Sequence, residues 1–459
     1  MEESGDETAT QLRWGDVHVT GVKYQFLTNY ACPDLGNPSR DPYGARRLLP
    51  VPFHTDPAAP FDPAEIQPTR LAQKPSSSPP SHMFQQLLAI IRNTFFESVR
   101  QPVVLVVLVG ASLLIVLSNP LSAFTMDENQ RMLIDIGLAT IFMAAALLSG
   151  FIATNVLGRE ISNKTALTVI SKPVGRPLFV IGKFLGVALA MMLVTLHLFM
   201  IFMLVEAHAV LETVRDPIHV PVILFGLGAI ILGWAAAAWC NYFYNMVFTS
   251  SVIFFTTPLL LVGWLIAINF GPDFSPRPIG LGIKPDFWLA IFAMMMAIFM
   301  MCAIAVAIST RAGQLMTILV TVGIFVLGLL SDSMFLSGIR NLEAKWLATA
   351  KEQGLTQKEE IISTIQLTTG EKEELSTIVD VSTVPLLDLA SGSEQALYWA
   401  YVVGYDILPN FQVMWLADAI TQKHQIPPDY VWESALYAAV YSCAAIAFGI
   451  ILFQRREVG

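Results

Sequence analysis

A chain that handles phosphate needs glycines and a lysine at fixed spacing, and Gly175, Gly182 and Lys183 come nearest to that here. A G-x-x-x-x-G-K-[ST] loop spaces its glycines more closely and follows the lysine with a hydroxyl. In this chain the glycines are seven apart, Phe184 follows Lys183, and the segment runs into an apolar stretch. ATP is not bound by that route.

Ion-coupled carriers bury carboxylates or histidines at mid-membrane depth. Asp135, Glu206 and His208 fall at the ends of apolar runs, and only His197 lies well inside one, in MLVTLHLFMIF. A single histidine on an apolar helix reads as a packed, hydrogen-bonded residue. There are no paired carboxylates, no H-E-x-x-H helix and no G-x-S-x-G elbow, so hydrolytic machinery is not visible. Cys32, Cys240, Cys302 and Cys443 lack metal-ligand spacing and read as small hydrophobes. The chain is therefore expected to carry no catalytic residue, no metal and no cofactor of its own, and nothing in it points to nucleic acid.

What remains is charge. REISNKTALTVISKPVGRPLFVIGKFLG, from Arg159 to Gly186, holds Arg159, Lys164, Lys172, Arg176 and Lys183 between two long apolar runs. Short basic loops resist translocation, which predicts a cytoplasmic loop. Ser162 to Ile170 suits a short helix with Ile161, Leu167 and Ile170 on one side and Asn163 and Lys164 on another, ended by Pro173. Such a helix is a docking handle. Lys183, one turn into the next apolar run, is expected to snorkel to the interface and anchor orientation. Gly182 and Gly186 have the G-x-x-x-G spacing that allows close helix approach.

The elements that must position this loop are membrane spans. The chain is 54% hydrophobic and 14% charged, well below the roughly 25% charged residues of soluble domains. Its mean hydropathy of +0.58 reflects stretches long enough to cross a hydrocarbon core of about 30 Å. Eight spans are predicted, over 103–118, 133–156, 178–205, 218–239, 247–269, 287–308, 313–330 and 432–453. The fold class is thus an all-α polytopic membrane protein. Phe84, Leu87, Leu88, Ile91, Phe95 and Val99 recur at three- and four-residue steps, predicting an amphipathic helix in the membrane interface before the first span. Arg92, Arg100, the Arg159–Gly186 loop, Arg311, Arg455 and Arg456 fall on one side if the spans alternate, which places both termini in the cytoplasm. The Met-rich run Met294, Met295, Met296, Met300 and Met301 reads as packing filler.

The chain divides into four regions. Residues 1–82 are rich in Pro, Asp and Ser and read as a disordered cytoplasmic extension, with a small folded module as the alternative. Residues 83–330 form the membrane domain, with the loop at 157–177. Residues 331–431 are an acidic extracytoplasmic insertion, and 432–459 hold the last span and a tail. Within the insertion, Gly354 is expected to end a helix built on Ile339 to Lys351. Thr356 with Glu359, and Thr368 with Glu371, have capping-box spacing and predict further short helices. Tyr398 to Ile420, with Trp399, Tyr401, Tyr405, Phe411 and Trp415, suits either the outer leaflet or the core of the insertion.

The loop resembles the one between the second and third spans of ABC exporter permeases of the type-two family. In that pattern an acidic residue precedes a short threonine-containing helix, then S-K-P-x-x-R, then G-K at the next span. Glu160, Thr165, Ser171, Lys172, Pro173, Arg176, Gly182 and Lys183 match it in order. AIAVAISTRAGQLMTILVTVGIFVLGLLSD and the run from LPNFQVMWLADAI to ILFQRREVG agree as well. The family has six core spans, so eight spans and the 331–431 insertion depart from its minimum.

The resemblance implies a permease subunit without an ATPase of its own, in a prokaryotic plasma membrane. Its partners would be separate ABC ATP-binding subunits, a second permease copy or paralogue, and membrane lipids. The helix at Ser162 to Ile170 would be the coupling helix, with Glu160 and Lys164 as polar contacts and Leu167 and Ile170 as apolar anchors. Thr165, Lys172, Pro173 and Arg176 complete the implied ATPase-coupling set. The competing reading is a non-transporting scaffold or sensor that works through its extracytoplasmic domain.

Overall fold

The computed structural model describes residues 80–124, 128–162, 175–211, 216–278, 280, 282–366, 372–422 and 424–454. The extension expected at 1–82 lies almost wholly outside them.

Apolar runs become helices because a helix satisfies its own backbone hydrogen bonds where water is absent. Helix α1 (Pro80–Val99) is followed by α2 (Pro102–Ser122) and α3 (Asn129–Ala153). The chain then continues with α4 (Arg176–His208), α5 (Val220–Tyr244), α6 (Phe248–Ala267) and α7 (Pro285–Ser309). After α8 (Gln314–Leu329) and α9 (Ser337–Glu352) come strands β1 (Thr356–Gln366) and β2 (Lys372–Ser382). Helices α10 (Gly392–Ile407), α11 (Ala417–Thr421) and α12 (Pro428–Gln454) complete the order.

Seven of these helices, α2 to α7 and α12, are long and apolar enough to cross a membrane. The eighth expected span takes a different form. Helix α8 has 16 residues, about 24 Å at 1.5 Å per residue and short of a hydrocarbon core. It continues through a π-helical turn at Asp332–Leu336 into α9, bent by 50°. The bend falls where polarity begins: Asp332 accepts hydrogen bonds from the Tyr405 hydroxyl at 3.2 Å and the Asn410 amide at 2.8 Å. The protein is an all-α polytopic membrane protein in its bundle, with one hairpin outside it.

Helices α4 and α7 form the centre, with 78% and 72% of their apolar windows buried, against 28% for α2 and α12. Met294, Met300 and Met301 of α7 are buried, as packing filler requires. His197 is buried and shares a 2.9 Å hydrogen bond with the Thr257 hydroxyl of α6. Helix α1 lies across α4. A Cβ on Gly182 would meet Ile90 at 2.7 Å, and one on Gly186 would meet Thr94 at 2.5 Å. The G-x-x-x-G pair is the saddle on which α1 sits.

The two ends of the bundle are distinct. At the proximal end, where α3 ends and α4 begins, Arg176 and Arg311 both donate to the last turn of α12, at Gln454 O (3.2 Å) and Leu452 O (2.9 Å). Cations there complement the helix dipole. At the distal end lie α9, the hairpin and α10. Gly354, at φ 69°, ends α9 as expected. The helix predicted from Thr356 is instead the first strand of an antiparallel hairpin, paired from Thr356 with Ser382 to Gln366 with Lys372, while Thr368 and Glu371 lie outside the described residues. The register sets Ile361 opposite Thr377, and the β-branched residues of both strands (Ile361, Ile362, Thr364, Ile365, Thr377, Ile378, Val379 and Val381) outweigh the cap-like spacing. The capping box that does form is Ser391 with Glu394, at the start of α10. Tyr398 to Ile420 divides: α10 packs beside α9, while Phe411 and Trp415 enter the bundle against Phe142.

Candidate functional site

A π-helical turn at Thr154–Gly158 joins α3 to a last α-helical turn, Arg159–Ser162. An extra residue in a helical turn rotates the next residues by about 100°. Here the change of phase brings Asn155 to Gln101, whose Oε1 accepts from Nδ2 at 3.0 Å, and turns Glu160 towards α4. The Asn155 Oδ1 is buried without a hydrogen-bond partner among the described residues.

Lys183 of α4 is the centre of the site. Its Nζ donates to Glu160 Oε1 at 2.8 Å and to Glu97 Oε2 of α1 at 3.4 Å, and lies 5.7 Å from the centroid of the Phe179 ring. The lysine side chain is 3% exposed, while Glu160 and Glu97 are 26% and 38% exposed. This corrects the snorkelling expectation. The saddle at Gly182 and Gly186 draws α1 over the lysine, so it cannot reach water and is neutralised in place instead.

Beside this triad, Glu97, Gln101, Pro102, Asn155, Arg159 and Glu160 line a cavity of about 360 Å³. Burial pushes the Glu97 carboxyl above its ordinary value; Lys183 opposes that shift and Glu160 adds to it. Lys183 serves both carboxylates, and Glu97 takes up a proton more readily than an ordinary carboxylate as pH falls. Among the described residues the arrangement offers no nucleophile. Its chemistry is electrostatic attachment, tying α1, the end of α3 and α4 together at the root of the 163–174 segment.

Of the eight residues predicted to couple to an ATPase, Glu160 and Arg176 are described. Glu160 belongs to the internal triad, and Arg176 caps α12. Lys164, Thr165, Leu167, Ile170, Lys172 and Pro173 lie outside the described residues. Sequence reasoning missed Glu97 and Asn155. The only trace of Glu97 was its place off the apolar stripe of α1, which solvated residues share.

The distal end holds a second buried charge. Glu206 of α4 accepts from Lys284, which precedes α7, and from Gln130 of α3 at 3.4 Å. With Asp286, Thr421 and His424 it borders a cavity of about 510 Å³.

Helix number, length and apolarity place the chain in the class of multi-pass α-helical membrane proteins. Comparison with protein-family models, with curated proteins and with solved structures returned no match.

Proposed function

We propose that the chain is the membrane-spanning permease subunit of an ATP-dependent ABC exporter in a plasma membrane. Separate ATP-binding subunits dock on the 163–174 segment, a second copy or paralogue pairs with the chain, and the proximal end with both termini faces the cytoplasm. The observation that carries this reading is the Glu160–Lys183–Glu97 triad at the root of that segment. Any displacement of a docked helix is passed through charged contacts to α1 and to α4 together. Helix α4 then extends for 33 residues, about 50 Å, to the Glu206 cavity at the distal end.

Mild-detergent purification from the native membrane tests the proposal. An ATP-binding cassette protein is expected at stoichiometric level, and its ATPase rate should rise when this chain is added. Replacing Leu167 and Ile170 by Asp should abolish association while leaving membrane insertion intact, because a helix held in a cleft depends on desolvated apolar anchors. Unchanged association removes the segment from the interface. The distal hairpin and α9–α10 pair favour the scaffold reading as second choice, which predicts full function with no nucleotide turnover.

A further inference from the structure

The cavity of about 510 Å³ at the distal end is lined by the first turns of α3 and α7, the end of α4, and α11. That volume lies within the roughly 300–1,000 Å³ of small-molecule sites. Its most buried charge is Glu206, in the last turn of α4, whose side chain is 6% exposed. Asp286, in the first turn of α7, is a second carboxylate in the lining, and Ile134, Ile283 and Ile420 add apolar surface.

What these groups can still offer depends on the bonds they already make. Both hydrogen bonds to Glu206, from Lys284 Nζ and Gln130 Nε2, fall on Oε1. The one to Asp286, from the Ile426 backbone N–H at 3.1 Å, falls on Oδ1. Glu206 Oε2 and Asp286 Oδ2 thus have no hydrogen-bond partner among the described residues. Thr421 donates its only proton to the Asp418 carbonyl at 3.0 Å, so its oxygen can only accept, and Gln130 keeps its carbonyl oxygen. The lining is therefore rich in acceptors. A carboxylate buried this far with one oxygen unbonded calls for a donor that enters through the cavity. Lys284 shows which donor fits: its alkylammonium bonds Glu206 and lies 5.2 Å from the centroid of the Phe287 ring. Its own side chain is 53% exposed, so it leaves the cavity open to a second cation. His424, which is exposed, is the other titratable side chain in the lining.

We propose that this cavity binds an organic cation through a primary ammonium group. Glu206 Oε2 and Asp286 Oδ2 accept its N–H bonds, and its alkyl stem lies against the isoleucines. Lys284 acts as a tethered competitor: it holds one Glu206 oxygen and repels the incoming charge, which lowers the affinity. An anion would find one ammonium opposed by two carboxylates. The site requires only the folded chain and stands apart from the transport reading.

The test titrates the full chain, in nanodiscs of phosphatidylcholine, with pentylamine, pentanol and pentanoate, which share a stem and differ in head charge. Binding is read by calorimetry against empty nanodiscs. Pentylamine is expected to bind at least about tenfold more tightly than either of the others. Glu206→Gln and Asp286→Asn should each weaken it about tenfold or more, with thermal unfolding midpoints showing that the variants are folded. Lys284→Met should tighten it about tenfold, the reverse of what a site for anions would show. Equal binding of pentylamine and pentanol reduces the cavity to an apolar slot and overturns the proposal. Tighter binding of pentanoate overturns it too, as does pentylamine binding that Lys284→Met leaves unchanged or weakens. Unchanged pentylamine binding in folded Glu206→Gln and Asp286→Asn places the amine elsewhere and has the same force.

Discussion

The two ends of the bundle solve the problem of a buried charge in opposite ways. At the proximal end a cation is buried: Lys183 is 3% exposed and its two carboxylate partners reach towards water. At the distal end an anion is buried: Glu206 is 6% exposed and its partner Lys284 is 53% exposed. The proximal triad joins three separate elements under a helix laid across it. The distal pair has an exposed member that water can replace. The first is thus a structural joint, and the second borders a cavity with its cation on the exposed side.

The contrast is broken most directly at Lys183. Lys183→Met leaves two carboxylates facing each other beneath α1 and should cost about 3–5 kcal/mol, read as a fall in the thermal unfolding midpoint of the purified chain. Gly186→Leu should come next, at about 3 kcal/mol, because its side chain meets Thr94 and the Ile91 carbonyl and must lift α1. Lifting α1 also admits water to Lys183. The double variant is then expected to lose less than the sum of the two singles, and additive losses would show that α1 is not what buries the lysine.

Smaller changes sharpen the comparison. Lys284→Met should cost only about 1 kcal/mol, since Gln130 and water from the cavity remain to Glu206; a loss equal to that of Lys183→Met would erase the distinction between the two ends. Glu97→Gln should be smaller still and pH-dependent. The folded Glu97 carboxyl lies above its unfolded value, so the folded state holds the extra proton and gains stability below the ordinary carboxylate pKa. That gain disappears as pH rises through the raised value. The stability of the wild type relative to Glu97→Gln should therefore decline across this window, as measured by unfolding midpoints at stepped pH.

Much of the bundle can be read from the chain. Each apolar run becomes a helix, Gly182 and Gly186 mark a close approach, and Gly354 ends α9, because these outcomes depend on neighbours a few residues away. The site was less visible. Glu97 and Lys183 are 86 residues apart in sequence, and nothing local distinguishes Lys183 from a lysine that snorkels. The π-helical turn that re-aims Glu160 has no composition signature, and the cap-like spacing at Thr356 was overruled by the pairing of β1 with β2.

Hydropathy, helix length and the charge of short segments are properties of consecutive residues, and they suffice for the membrane class, the approximate spans and the basic segment between the second and third of them. Which charges are buried is a matter of tertiary structure alone. Burial depends on what a neighbouring helix covers, and here that is the crossing of α1 over α4 on two glycines.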